Sequence, residues 1–232
     1  MAAITCGVGC DEMSRVLIAC EESQAVTIAF RNLGHEAFSC DLQECSGGHP
    51  EWHHQGDVFE YIANSEPFDL MIAHPPCTHL AVSGAAWFEQ KRKDGRQQEG
   101  IELFMQFTAT DIPMVCIENP IGIMSSLWRT PDQIIQPYYF GDEFQKTTCL
   151  WLTGLPKLIH IAKDDLFDTA THVGRGEMVV SESGKVMAKW FSDAWKLPPD
   201  ERSRVRSKTF PGIAQAMANQ WGRLLDTTGE LF

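Results

Sequence analysis

Cys77 follows two prolines at the end of an apolar run, FDLMIAHPPC (68–77). Proline fixes its backbone torsion and donates no hydrogen bond, so Pro75 and Pro76 make a stiff turn that presents one thiol. A thiolate in a partly exposed polar setting is a nucleophile, although a cysteine in such a turn often serves only the turn. Glu118 and Asn119 stand 41 and 42 residues later, near the end of PMVCIENP (113–120). A carboxyl group whose pKa is raised by partial burial can hold a proton or give it to a ring nitrogen. The plainer role for such a residue is a cap or turn acid. Asp41 lies 22 residues after Ala19. Nucleotide-binding α/β folds place an acid on ribose hydroxyls at a spacing of roughly 20 residues. The turn between reads Ala19-Cys20-Glu21-Glu22-Ser23, without GxGxxG. It therefore suits a nucleoside lacking pyrophosphate, such as S-adenosylmethionine, better than a dinucleotide.

Four short apolar runs position these residues. RVLIAC (15–20), HEAFSCDL (35–42), FDLMIAHPP (68–76) and PMVCIENP (113–120) read as strands, and the near-continuous apolar runs among them as buried parallel ones. Helical spacing separates them in 21–34, 57–63 and 100–110, with Gly34 as a C-terminal stop. The expected fold class is α/β: a Rossmann-like, mostly parallel sheet with helices on both faces. Ligands of such sheets bind beyond the carboxyl ends of the strands, where Cys20 to Glu22, Asp41, His74 to Cys77 and Glu118 to Pro120 all fall. Residues 43–56 read as a loop and 133–152 as strand-like material with turns. The expected organisation is a flexible leader (1–13), a core (14–156), a small basic insertion (157–208) and a C-terminal motif with an amphipathic helix returning to the sheet (209–232).

The chain of 232 residues is 44 % hydrophobic and 22 % charged, enough for one sizeable core. No apolar run approaches the roughly 20 residues of a membrane helix, and residues 1–13 lack a signal-peptide pattern. Eight cysteines without a CxxC pair read as reduced thiols, so a cytoplasmic location is expected. No metal is expected: Cys6, Cys10, Cys40 and Cys45 are wrongly spaced for zinc, and His49, His53 and His54 read as a polar loop. The net charge is −12, yet residues 185–208 hold seven basic and three acidic side chains, or +4. Such a strip can engage phosphate. Of the tryptophans, Trp190 and Trp195 within it are the candidates for base stacking.

HPPCTHLAVSG (74–84) resembles the Pro-Cys loop of the DNA cytosine-5 methyltransferases, and IENP (117–120) resembles their Glu-Asn motif. GDV (56–58), VLIACEES (16–23) and FPGIAQAMANQWG (210–222) resemble the adenine, first-strand and closing segments. More closely, 15–222 resembles compact methyltransferase-like proteins of phages and prophages. The resemblance implies a methyltransferase fold with S-adenosyl-L-methionine as cofactor, and methylation of carbon 5 of cytosine in DNA, marking phage DNA against restriction. Cys77 would attack carbon 6, Glu118 would serve ring nitrogen 3, and Asn119 and Pro76 would shape the pocket. Ala19, Cys20, Glu21, Glu22, Ser23, Asp41, Leu42, Asp57, Val58, Pro75, Ala216 and Met217 would hold the cofactor. Pro76, Thr78, His79, Ser83, Lys185, Lys189, Arg202, Arg204, Arg206 and Lys208 would meet DNA.

This sequence departs from the family in two places. The family's glycine-rich first turn is ACEES here. Where the family carries Gln-x-Arg-x-Arg, this chain has QKTT (145–148), leaving Lys146 as the positive group of the catalytic set. With only 157–208 for recognition, specificity is short or relaxed, or comes from an auxiliary partner. Two other readings stand beside this one. One is modification of a base amino group or a free nucleotide, since His74-Pro75-Pro76-Cys77 partly matches the amino-methyltransferase motif. The other is a non-catalytic module that binds DNA or protein.

Overall fold

The structure is a computed structural model, which describes residues 14–163, 169–181, 184 and 186–228. The expected leader and Lys185 lie outside the described residues. A 7-stranded sheet has the order β3-β2-β1-β4-β5-β7-β6. These strands are β1 (Arg15–Ala19), β2 (Glu36–Asp41), β3 (His53–Gln55), β4 (Leu70–Ala73), β5 (Met114–Pro120), β6 (Gln133–Ile135) and β7 (Thr148–Thr153). The first five run parallel, and β7 is antiparallel to both β5 and β6. Chain order reverses between β1 and β4, the switch point at which α/β sheets open a crevice.

Helices cover both faces, as the apolar runs require. α1 (Ala25–Arg31) and α8 (Pro211–Thr228) lie on one face, where Val16 and Ile18 pack with Phe30, Met217 and Trp221. α2 (Val58–Asn64) and α4 (Arg96–Thr108) lie on the other, where Leu17 and Ala19 pack with Phe104, Phe107 and Trp151. Alternate residues of one strand thus feed two separate cores. Among the described residues no helix is long and apolar enough to cross a membrane.

The turn after β1 contains two non-glycine residues with positive φ, Cys20 (59°) and Gln24 (57°). Fully buried Gln24 donates to Ser39 Oγ at 3.3 Å and the His49 carbonyl at 2.8 Å, and accepts from the His49 amide at 3.0 Å. These bonds hold a conformation that L residues otherwise avoid. Gly47 presses on this turn so closely that a Cβ there would sit 2.5 Å from Gln24 Cβ.

The 43–56 segment is accordingly more ordered than the expected loop. It carries a short 3-10 turn (Pro50–Trp52) and β3, which pairs with β2. Its histidines are used in packing. His49 stacks on Trp52, His54 stacks on Tyr61, and His53 bridges Ser39 Oγ and the Gln43 carbonyl. Past Cys77, the polar stretch forms a 3-10 helix (Val82–Trp87) and α3 (Phe88–Lys93), and the short α5 (Met124–Leu127) follows β5. Segment 157–208 contains a hairpin of β8 (Met178–Val180) and β9 (Val186–Ala188), then α6 (Lys189–Ala194) and α7 (Pro199–Ser207).

Candidate active site

The loop after β4 places Cys77 beside the end of β5. The His74 amide donates to the Ala19 carbonyl at 2.9 Å, and the Leu80 and Ala81 amides donate to the Cys77 carbonyl at 3.0 and 2.9 Å. Asn119 Nδ2, on a side chain almost wholly buried, donates to the Pro75 carbonyl at 2.7 Å. Asn119 therefore clamps the proline loop to β5. Gly122 allows the next turn to close, because a Cβ there would lie 2.5 Å from the Leu80 carbonyl oxygen. Cys77 itself is partly exposed. Burial, and then the Glu118 charge, push its thiol up, while the charges of Lys146 and Arg206 pull it down.

Glu118 is buried and meets His74 Nδ1 at 3.1 Å. The sequence reading expects burial to raise this carboxyl group, but the structure shows the opposite direction. Burial is the largest single influence and does push it up. The His74 hydrogen bond, the Lys146 charge and the Thr148 hydroxyl together outweigh burial and hold it below the ordinary carboxyl range. In the resting protein Glu118 is therefore an ionised acceptor at neutral pH. His74 was noted in the sequence only as part of a motif, yet it is the direct partner of Glu118, with a buried Nε2 that has no partner.

The insertion delivers charge to this centre. Lys146 reaches the Ser207 and Lys208 carbonyls at 3.4 and 3.1 Å, at the end of α7. Arg206 stacks over Phe191 at 4.4 Å and Trp195 at 5.3 Å, within electrostatic range of Cys77. The sequence reading expects Arg206 on phosphate, and the fold sets its charge within electrostatic range of the thiol. Its separation of 129 positions from Cys77 carries no local signal. Arg202 lies over Trp195 at 4.9 Å, and Lys189 pairs with Glu177. Trp195 is 54 % exposed, whereas Trp151 and Trp221 are core. Trp190 is tied in by its indole N–H to the Gln145 carbonyl. Pro76, Thr78, Ser83 and Lys208 are exposed along this rim. His79 keeps a buried Nδ1 without a partner, and burial followed by Lys91 holds its pKa below the usual value.

The opposite side of the switch point carries the residues expected at the cofactor. Glu21 turns its carboxylate onto the start of α1. Its Oε1 accepts the Val26 amide at 2.7 Å, and its Oε2 accepts the Thr27 amide at 3.2 Å and the Thr27 hydroxyl at 2.8 Å. The protein's own carboxylate thus fills the N-terminus of α1, where related sheets seat a phosphate. Ala19, Val58, Pro75, Ala216 and Met217 are also buried. They line the turn and sheet ends from within. Asp57 is exposed and caps α2 through the Phe59 and Glu60 amides at 2.8 and 3.0 Å. Asp41 accepts the Gln43 amide at 2.9 Å, and burial first, then Glu22, push its carboxyl up against that bond.

Beyond these strand ends lies a cavity of about 410 Å³ lined by Glu22, Gln43, Ser203, Arg204 and Ser207. Glu22 is buried, its Oε2 meets the Ser46 hydroxyl, and its Oε1 has no partner. Arg204, expected on phosphate, stands in this cavity wall. Cys20 and Ser23 flank the turn and Leu42 is exposed beside it; burial, then Asp41, raise the Cys20 thiol to about 12. Among the described residues no group of three His, Cys, Asp or Glu side chains could hold a metal ion.

Glu21 yields a stability prediction. Glu21→Ala would strip three buried donors of their acceptor and remove the helix cap. The expected cost is about 2–4 kcal/mol, or a fall in melting temperature of roughly 4–16 °C. Burial raises the folded pKa of Glu21. Its ionised form therefore opposes folding, and the wild-type advantage should grow as pH falls from neutral through that raised value. Thermal melts of both proteins between pH 7 and pH 4.5 check this.

No sequence-family model and no curated protein matches the chain. Solved structures do. The Entamoeba histolytica methyltransferase EhMeth aligns with a TM-score of 0.53 at 11 % identity, over 92 % of this chain and 99 % of that one. A Spodoptera frugiperda DNMT2 variant aligns with a TM-score of 0.45 at 8 % identity, over 91 % and 99 %. A protein described as a candidate DNA modification methyltransferase of an E. coli prophage aligns with a TM-score of 0.43 at 15 % identity. That match covers 60 % of this chain and 46 % of the prophage protein, less than half its length. The chain shares the α/β fold of the solved methyltransferase EhMeth.

Proposed function

We propose that this chain is an S-adenosylmethionine-dependent methyltransferase acting on carbon 5 of cytosine in DNA, in the modification of phage or prophage DNA. The observation that carries the reading is the convergence of Cys77, Glu118, Lys146 and Arg206 at one end of the sheet, with a polar cavity walled by Glu22 and Arg204 at the strand ends. A nucleophile, a ring-nitrogen partner and positive charge are what attack on a pyrimidine needs. The methyltransferase fold and the motif resemblance support the same assignment.

In the proposed reaction the Cys77 thiolate, favoured by Lys146 and Arg206, bonds to carbon 6 of a cytosine held out of the stack. The electron pair of the 5,6 double bond moves into the ring as Glu118 serves nitrogen 3. Because burial is the largest influence on Glu118, entry of a neutral base that weakens its contact with Lys146 or His74 lets burial raise its pKa, so that it takes up a proton for nitrogen 3. Carbon 5 then becomes nucleophilic; a sulfonium cofactor, when bound, would supply the electrophilic methyl group, its S–CH3 bond breaking to leave the neutral thioether. A base removes the carbon-5 proton, the bond from Cys77 to carbon 6 breaks, and the thiolate is regenerated. Asp41, Glu22 and the cavity wall are the residues that would hold the cofactor, since its ribose hydroxyls and ammonium are donors that suit carboxylate oxygens, and Glu22 Oε1 has no partner.

The test is transfer of a labelled methyl group to mixed-sequence DNA, followed by nucleoside analysis. The reading expects 5-methylcytosine. Label in an N-methylated base would move the function to amino methylation.

A further inference from the structure

We infer that Arg204 and Glu22 form a clamp for a zwitterionic amino-acid group, the methionyl end of the cofactor, so that inserted helix α7 is part of the cofactor site. The inference rests on the methyltransferase reading and deepens it. Arg204 and Glu22 stand in the wall of one cavity together with Ser203, Ser207 and Gln43. Its volume of about 410 Å³ falls in the range of small-molecule sites. Glu22 has a buried carboxylate oxygen without a partner, which the ammonium of an amino acid would satisfy. A guanidinium is built to take a carboxylate through two hydrogen bonds, and the hydroxyls and amide in the wall add neutral donors. A phosphate would meet Arg204 equally well but would be repelled by Glu22. Opposite charges in one cavity favour a ligand that carries both.

Helical spacing gives α7 two working stripes. Ser203, Arg204 and Ser207 share one side, whereas Arg202 and Arg206 lie a turn apart on another. Those two arginines cover Trp195 and Phe191, and Arg206 lies within electrostatic range of Cys77. The neighbouring lysines are engaged elsewhere, Lys189 with Glu177 and Lys196 with Asp193. Arg204 forms no ion pair among the described residues. The same helix therefore offers one cation to the cofactor cavity and another to the thiol.

Calorimetry with two probes tests the clamp. S-adenosylhomocysteine carries the zwitterion, and 5′-methylthioadenosine keeps the adenosine and sulfur but lacks the amino-acid group. Arg204→Ala is expected to weaken S-adenosylhomocysteine by about 10- to 100-fold, the range for a lost charge-assisted hydrogen bond, and to leave 5′-methylthioadenosine unchanged. Arg204→Lys, which keeps the charge without the planar fork, should fall between. Equal weakening of both probes, or of neither, overturns the clamp while leaving the methyltransferase reading in place. A wild-type protein that binds neither probe overturns both.

Discussion

Replacing Cys77 with serine is expected to lower methyl transfer by on the order of 10⁴-fold or more, the scale of losing a catalytic nucleophile. The substitution changes one atom on a loop held by main-chain bonds and by Asn119. Folding and the cavity walled by Glu22 and Arg204 should be unaffected. Melting temperature and S-adenosylhomocysteine affinity are the controls, and single-turnover methyl transfer is the measurement. The thiol is pushed above its ordinary value by burial and by Glu118. The wild-type rate should therefore rise with pH above neutral as the thiolate fraction grows. Turnover retained within tenfold in Cys77→Ser would exclude the covalent route.

Glu118→Gln is expected to lower the rate by about 10²- to 10⁴-fold, the range for a lost general acid. Glutamine can still accept the His74 hydrogen bond but cannot hold or give a proton. The variant should bind cofactor normally and lose kcat. Its stability carries a second signature. The folded pKa of Glu118 is depressed despite burial, because His74, Lys146 and Thr148 outweigh it. Its stabilising contribution is then present above about pH 4.3, the unfolded value, and fades as pH falls through the lower folded value. Glu21 behaves oppositely. Melts of the two variants should diverge from wild type in opposite directions on acidification, and parallel curves would contradict the assigned charge states.

The sequence made the sheet legible because β1, β4 and β5 carry unbroken apolar runs (16–19, 70–73 and 114–117) that lead into chemically unusual residues. Alternation was not needed, since both faces of the sheet are covered. The 43–56 segment was misread because its order comes from long-range bonds, the Gln24 amide and Gly47 packing, and not from local propensity. Cys77 and Glu118 could be found from residue type and strand-end position. The electrostatics of Glu118 could not, because two of its balancing partners come from other elements and His74 is oriented only by the fold. Arg206 and Arg204 read as interchangeable members of a basic strip. Only the helical phase of α7 over the sheet separates a residue near the thiol from one in the cavity. Glu21 resembled a ligand contact because its turn occupies the ligand position, yet its oxygens are consumed by the Val26 and Thr27 donors.

The central claim is a covalent bond between Cys77 and carbon 6 of cytosine, and 5-fluorocytosine tests it directly. Fluorine at carbon 5 cannot leave as a proton does, so the reaction halts before the thiol is released. The account predicts a denaturation-resistant protein–DNA band from a 5-fluorocytosine duplex that requires S-adenosylmethionine and disappears in Cys77→Ala. Methylation of ordinary DNA with no trapped band, or a band that survives Cys77→Ala, would contradict it.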